Sequence, residues 1–156
     1  MKRASASATA TEAAGQAFAD VLAPGDVVLL SGPLGAGKTT FVRGLARGLG
    51  VVERATSPTF TMVRQHRCHN ARGIETLHHA DLYRVGSIDE VLDLALGELV
   101  EEQSVAVVEW GEIAAPIFGV DVLTVTIEVI SDEARRIGVG GALAADRVAA
   151  IARWLT

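Results

Sequence analysis

"VVLLSGPLGAGKTTFVRGLARGLG", residues 27–50, decides how this chain folds. Val27 to Leu30 form a short unbroken apolar run, as expected for a parallel strand covered on both faces. Gly32 to Thr39 spell G-x-x-x-x-G-K-T, and the stretch after Lys38 reads as a helix closing near Gly50. The glycines allow the backbone to curl so that successive N–H groups point inward at an anion. The helix start adds its unpaired N–H groups and its positive dipole end. Lys38 is placed to neutralise phosphate charge, and the Thr39 hydroxyl to ligate Mg²⁺. A turn that merely joined a strand to a helix would need neither the Lys-Thr pair nor such a strand. A phosphate-binding loop is therefore expected, with Gly32, Gly35, Ala36, Gly37, Lys38, Thr39 and Thr40 holding a nucleotide.

A second stretch, "VAVVEWGE" at 105–112, sets Glu109 where another apolar run stops. A carboxylate at the mouth of a buried strand is costly to desolvate unless something positive meets it. A dication held beside the loop would do so, with Glu109 binding it directly or through water. The bland alternative is a strand-end glutamate facing solvent. Asp81, in "HHADLYR" at 78–84, is another acid inside a β-like stretch. It has three open roles: positioning a water, binding Mg²⁺ through water, or capping a turn.

Around these motifs the chain reads as alternating elements. Residues 1–10 are rich in Ala, Ser and Thr and are expected to form a flexible N-terminal tail, with a single domain over 11–156. From Thr11, the spacing of Ala14, Phe18, Val21 and Leu22 predicts a helix, ended by "APGD" at 23–26. "SPTFTMV" at 57–63 and "ETLHHADLYRV" at 75–85 suggest an antiparallel hairpin. "SIDEVLDLALGELVEE" at 87–102 opens with Ser87 and Glu90 in capping-box spacing and predicts a helix. Strands are expected at 121–130 and near 135, and an amphipathic helix at the C-terminus.

Composition narrows the function. The 156 residues are 49% hydrophobic and 21% charged, with a net charge of −5, which disfavours direct, unaided gripping of DNA or RNA. The single cysteine, Cys68, excludes an intrachain disulfide and favours a reducing cytoplasm. The N-terminus lacks the apolar segment of a secretory signal, and no stretch is long and apolar enough to span a bilayer. His66, Cys68, His69, His78 and His79 match no usual structural-zinc spacing, and adjacent strand histidines face opposite ways, so they read as polar loop residues. Trp110 reads as a packing residue beside a strand end. A small-molecule kinase would need a lid, for which Arg64, Arg67, Arg72 and Arg84 are available. A GTP switch would need an Asn-Lys-x-Asp element, which does not occur. A non-catalytic nucleotide sensor is disfavoured by the intact Lys38, Thr39, Asp81 and Glu109.

In order, "GPLGAGKTTFVRGLARGLG", "TSPTFT", "HADLYR" and "VEWGE" resemble the TsaE (YjeE) family of bacterial tRNA threonylcarbamoyladenosine biosynthesis. The likeness runs from about Thr11 to the C-terminal strands. It implies an α/β fold: a single-domain P-loop NTPase with a mixed, mainly parallel central sheet, flanking helices and an antiparallel hairpin. It implies ATP and Mg²⁺ as cofactors and slow hydrolysis, assisted by the partners TsaD and TsaB. Together these would modify the adenosine beside the anticodon, position 37, of tRNAs reading ANN codons, with tRNA touched only through the complex. The resemblance assigns Lys38, Asp81 and Glu109 to catalysis and Thr39, Glu109 and Asp81 to the metal. It places Thr11 near the adenine and Arg135 or Arg136 near the nucleotide, and gives Ser57, Thr59 and Thr61 a γ-phosphate-sensing role. Pro33 and Gly111 depart from the family pattern; position 33 contributes mainly backbone, so ATP binding is expected to survive.

Overall fold

The computed structural model describes residues 1–53, 62–119, 121–141 and 143–156; Ser57, Thr59 and Thr61 lie outside the described residues. Seven strands form one sheet: β1 (Lys2–Ser5), β2 (Val27–Ser31), β3 (Val63–Arg67), β4 (Thr76–Asp81), β5 (Ser104–Glu109), β6 (Leu123–Val129) and β7 (Arg135–Gly141). Their spatial order is β1-β7-β6-β2-β5-β4-β3. The four central strands, β6, β2, β5 and β4, run parallel, and antiparallel pairings at β3/β4, β6/β7 and β1/β7 close both sides. The β3/β4 pair is an antiparallel hairpin as expected, but its first strand is Val63–Arg67 and not 57–63: the register sets Val63 to Arg67 opposite Ala80 to Thr76, and 57–61 lie outside the described residues.

β2 shows why its apolar run is unbroken. Val28 and Leu30 enter one core, with Phe18, Phe41 and Leu45, while Val27 and Leu29 enter the other, with Val91 and Leu96. A strand covered on both faces has no polar side to display. Helices α1 (Ala8–Phe18), α2 (Lys38–Gly48) and α6 (Ala145–Trp154) cover the first face. Short helices α3 (Ile88–Asp93), α4 (Leu96–Leu99) and α5 (Ala115–Phe118) cover the second. No helix among the described residues is long and apolar enough to cross a membrane.

Three expectations are corrected. The N-terminal segment is not a tail: Lys2–Ser5 pairs antiparallel with β7, and Ser7 caps α1 by accepting from the Ala10 amide at 3.1 Å. Its Ala/Ser/Thr composition carries no apolar period of its own, and the neighbouring strand supplies the order. The helix expected over 87–102 breaks in two, with Ala95 in the left-handed region at φ 49°. On one continuous helix Val91 and Leu96 would point about 140° apart; the break lets both enter the same core. The Ser87 cap holds, its hydroxyl accepting from the Glu90 amide at 3.3 Å. Finally, His66, His78 and His79 are not loop residues but buried members of β3 and β4. Burial lowers the pKa of His66 and His78 from the usual histidine value. It raises that of the Cys68 thiol to about 11, which keeps it unreactive.

α1 and α2 approach almost backbone to backbone. A Cβ on Gly44 would lie 1.9 Å from the Glu12 carbonyl oxygen, and one on Gly15 2.1 Å from that of Phe41. Gly44→Ala should therefore destabilise the fold by about 1–3 kcal/mol, despite the roughly 1 kcal/mol that alanine gains as a helix former. Urea unfolding checks this, and a midpoint equal to or above wild type would contradict it. The contact has a functional side, because it sets Thr11 of α1 against the loop that precedes α2.

Candidate functional site

The loop leaves β2 at Gly32 and re-enters regular structure at Lys38. Gly32 has φ 144°, and a Cβ there would sit 2.5 Å from the Ile127 carbonyl oxygen, so a side chain is excluded. Gly37, in the left-handed region at φ 103°, caps α2 without a side-chain hydrogen bond. The first bond of α2 runs from the Phe41 amide to the Gly37 carbonyl at 2.9 Å, so the amides of Lys38, Thr39 and Thr40 lack intrahelical acceptors. That is the donor set an anion needs.

Lys38 is 5% exposed. Its Nζ donates to the carbonyls of Gly32 at 2.7 Å and Pro33 at 2.9 Å, and lies 3.9 Å from the centroid of the Trp110 ring. Trp110 in turn packs on Tyr83, with ring centroids 5.1 Å apart. Trp110 is therefore a packing residue that also roofs the lysine. Burial lowers the Lys38 pKa from the ordinary lysine value, while Glu109, Glu112 and Asp81 act in the opposite direction.

Glu109 ends β5 and is only 2% exposed. The Thr39 hydroxyl lies 3.0 Å from each of its carboxylate oxygens, so the acid meets the loop as expected. A second neighbour, His79 of β4, stands with Nε2 2.8 Å from Oε1. Strand register explains the convergence: Asp81 pairs with Glu109 and His79 with Val107, which puts all three acid and imidazole groups on one face. Asp81 Oδ1 accepts from the Tyr83 amide at 3.0 Å, the turn-capping role, while the residue also lines the cleft.

Two adjoining hollows flank the loop. One, about 330 Å³, is lined by Leu34, Gly35, Gly37, Lys38, Thr39, Thr40, Asp81, Tyr83, Glu109 and Trp110. The other, about 260 Å³, is lined by Ser7, Ala8, Thr11, Ala36, Gly37, Thr40, Asp132, Glu133 and Arg135. Gly37 and Thr40 line both, so the two hollows adjoin across the loop. Thr11 is tied to the N-terminal strand by a 2.7 Å bond between its hydroxyl and that of Ser5. Arg135 lines the second hollow and its Nε donates to the Ala36 carbonyl at 2.9 Å, bracing the loop. Arg136 points elsewhere, bonding Glu128 at 3.2 Å, and is not brought to the groove. His79, Ser7, Asp132 and Glu133 are brought to the site by the fold and not by any motif of the sequence.

The donor set suits a magnesium nucleotide. Mg²⁺ takes one or two protein ligands and completes its shell with phosphate oxygens and water. Thr39 and Glu109 offer such a pair, and no group of three or more His, Cys, Asp or Glu converges on a metal position among the described residues. A loop of this kind, between a central parallel strand and the helix it caps, is the hallmark of P-loop nucleotide-binding proteins, and this chain is one of them.

Comparison with known proteins narrows the class. The family model described as "Threonylcarbamoyl adenosine biosynthesis protein TsaE" matches residues 5–137. The tRNA threonylcarbamoyladenosine biosynthesis protein TsaE of Treponema pallidum (strain Nichols) is 40% identical over 139 residues, 89% of this chain and 99% of that one. Its namesake from Bacillus subtilis (strain 168) is 39% identical over 127 residues, 81% of this chain and 77% of the relative. Among solved structures, Bacillus subtilis YdiB superposes with a TM-score of 0.74 at 28% identity, covering 99% of this chain and 93% of the other. The chain belongs to the TsaE family.

Proposed function

We propose that this chain is the ATP-binding, slowly ATP-hydrolysing subunit of a cytoplasmic machine that threonylcarbamoylates the adenosine beside the anticodon of ANN-reading tRNAs. TsaD- and TsaB-type proteins are its partners, and tRNA is engaged through them. The observation that carries the reading is the partly buried contact between the Thr39 hydroxyl and the Glu109 carboxylate, beside an anion-binding loop. The family of the chain supplies the pathway.

The residues divide the work as follows. The amides at the start of α2 and the Lys38 ammonium hold the phosphates, and Thr39 with Glu109 holds Mg²⁺. Bound Mg²⁺ neutralises charge building on the phosphoryl oxygens. Asp81, beside Glu109 in register, orients the attacking water or a metal-bound one. Thr11 and Arg135 line the hollow beyond the loop, where the base and ribose fit. Trp110 and Tyr83 pack on each other and wall the phosphate end of the hollow.

Reconstituting tRNA modification with the two partner proteins tests this. Modification is expected to require this chain together with ATP and Mg²⁺, and ATP turnover to rise when the partners are added. Modification at full yield without the chain, or transfer of phosphate to a small metabolite, would overturn the reading.

A further inference from the structure

β4 reads "TLHHAD", and strand alternation turns its second histidine toward the face that carries Leu77, Val105 and Val107. His79 is 0% exposed there. Burying an imidazole strips water from two ring nitrogens, so a residue present for packing alone would be cheaper as leucine or valine. Among the described residues Nδ1 has no hydrogen-bond partner, and the polar contact His79 makes there is Nε2 to Glu109 Oε1 at 2.8 Å. The polar chemistry of this side chain is thus directed at one atom.

That atom needs the help. Thr39 has a single hydroxyl hydrogen to share between two carboxylate oxygens 3.0 Å away, and the hydroxyl rotates freely about its own bond. A buried ring with two fixed torsions provides what a hydroxyl does not, a donor in one direction. We propose that His79 is a positioning residue for Glu109: its Nε2–H pins Oε1 and thereby aims the carboxylate at the Mg²⁺ of the nucleotide site. A carboxylate only accepts, so the hydrogen is on Nε2 and, in the neutral ring, Nδ1 is bare. Partners that orient metal ligands from behind typically change metal affinity 10–100-fold when removed.

The inference rests on Glu109 serving that Mg²⁺, and the experiment separates the two. ATP affinity is measured for the full chain across Mg²⁺ concentrations and in chelator, for wild type, His79→Leu and His79→Gln. The leucine variant is expected to need about 10–100-fold more Mg²⁺ for half of the metal-dependent tightening, with metal-free affinity unchanged. Glutamine, whose amide nitrogen falls near the Nε2 position, should restore most of the loss. An unchanged Mg²⁺ requirement in His79→Leu, or an equal loss in both variants, overturns the positioning role and leaves the nucleotide reading standing. Absence of Mg²⁺-dependent tightening in wild type overturns both. Nitrogen-15 spectra of the wild-type imidazole need no variant: a protonated Nε2 supports the assignment and a bare one overturns it.

Discussion

Replacing Lys38 with alanine should lower ATP affinity by about 10–100-fold and turnover by at least roughly 100-fold. The ammonium sits within the loop, at the carbonyls of Gly32 and Pro33, and hydrogen bonds to charged groups contribute about 1.5–3 kcal/mol each. Arg135, the described arginine that lines the groove, is committed to the carbonyls of Ala36, Ser131 and Ala134 and does not substitute for it. Calorimetric titration with ATP and a phosphate-release assay give the two numbers. The same substitution should abolish partner-dependent tRNA modification. A variant that binds ATP and supports modification like wild type would remove the loop from the mechanism altogether.

Glu109→Ala should act on a different step. Turnover is expected to fall about 100-fold, while ATP binding in chelator stays near wild type, because the phosphates are held by the loop and not by this acid. The substitution also removes the carboxylate that the Thr39 hydroxyl and His79 both bond among the described residues, and these two are partly and fully buried. That should cost about 1–3 kcal/mol of stability, visible in urea unfolding. Equal losses in binding with and without Mg²⁺ would show that Glu109 supports the loop and not the metal.

The parts legible in the sequence are those whose evidence is contiguous. The strand, the glycine loop and Lys38-Thr39 lie within 13 consecutive residues, 27–39, and each explains the next. Glu109 was readable for a related reason: a charge at the end of a fully apolar strand demands a partner wherever that strand lies. Arg135 and Arg136 were indistinguishable by spacing, since only the β6/β7 register decides which of two adjacent side chains faces the loop. His79 was hidden more deeply. Its value comes from a neighbour 30 positions away on a parallel strand, and parallel register has no short-range sequence signal. The N-terminal strand and the break at Ala95 were missed because tertiary contacts override weak local preference at both places.

The lysine arrangement carries one more consequence. Lys38 is bound to two carbonyls of its own loop beneath an aromatic roof, so nucleotide entry is an exchange reaction and not a simple addition. Incoming phosphate must outbid Gly32 and Pro33 for the ammonium, and the indole beside it reports the trade. Tryptophan emission at this position therefore doubles as a built-in occupancy gauge, and a slow emission phase would time the lysine's changeover itself.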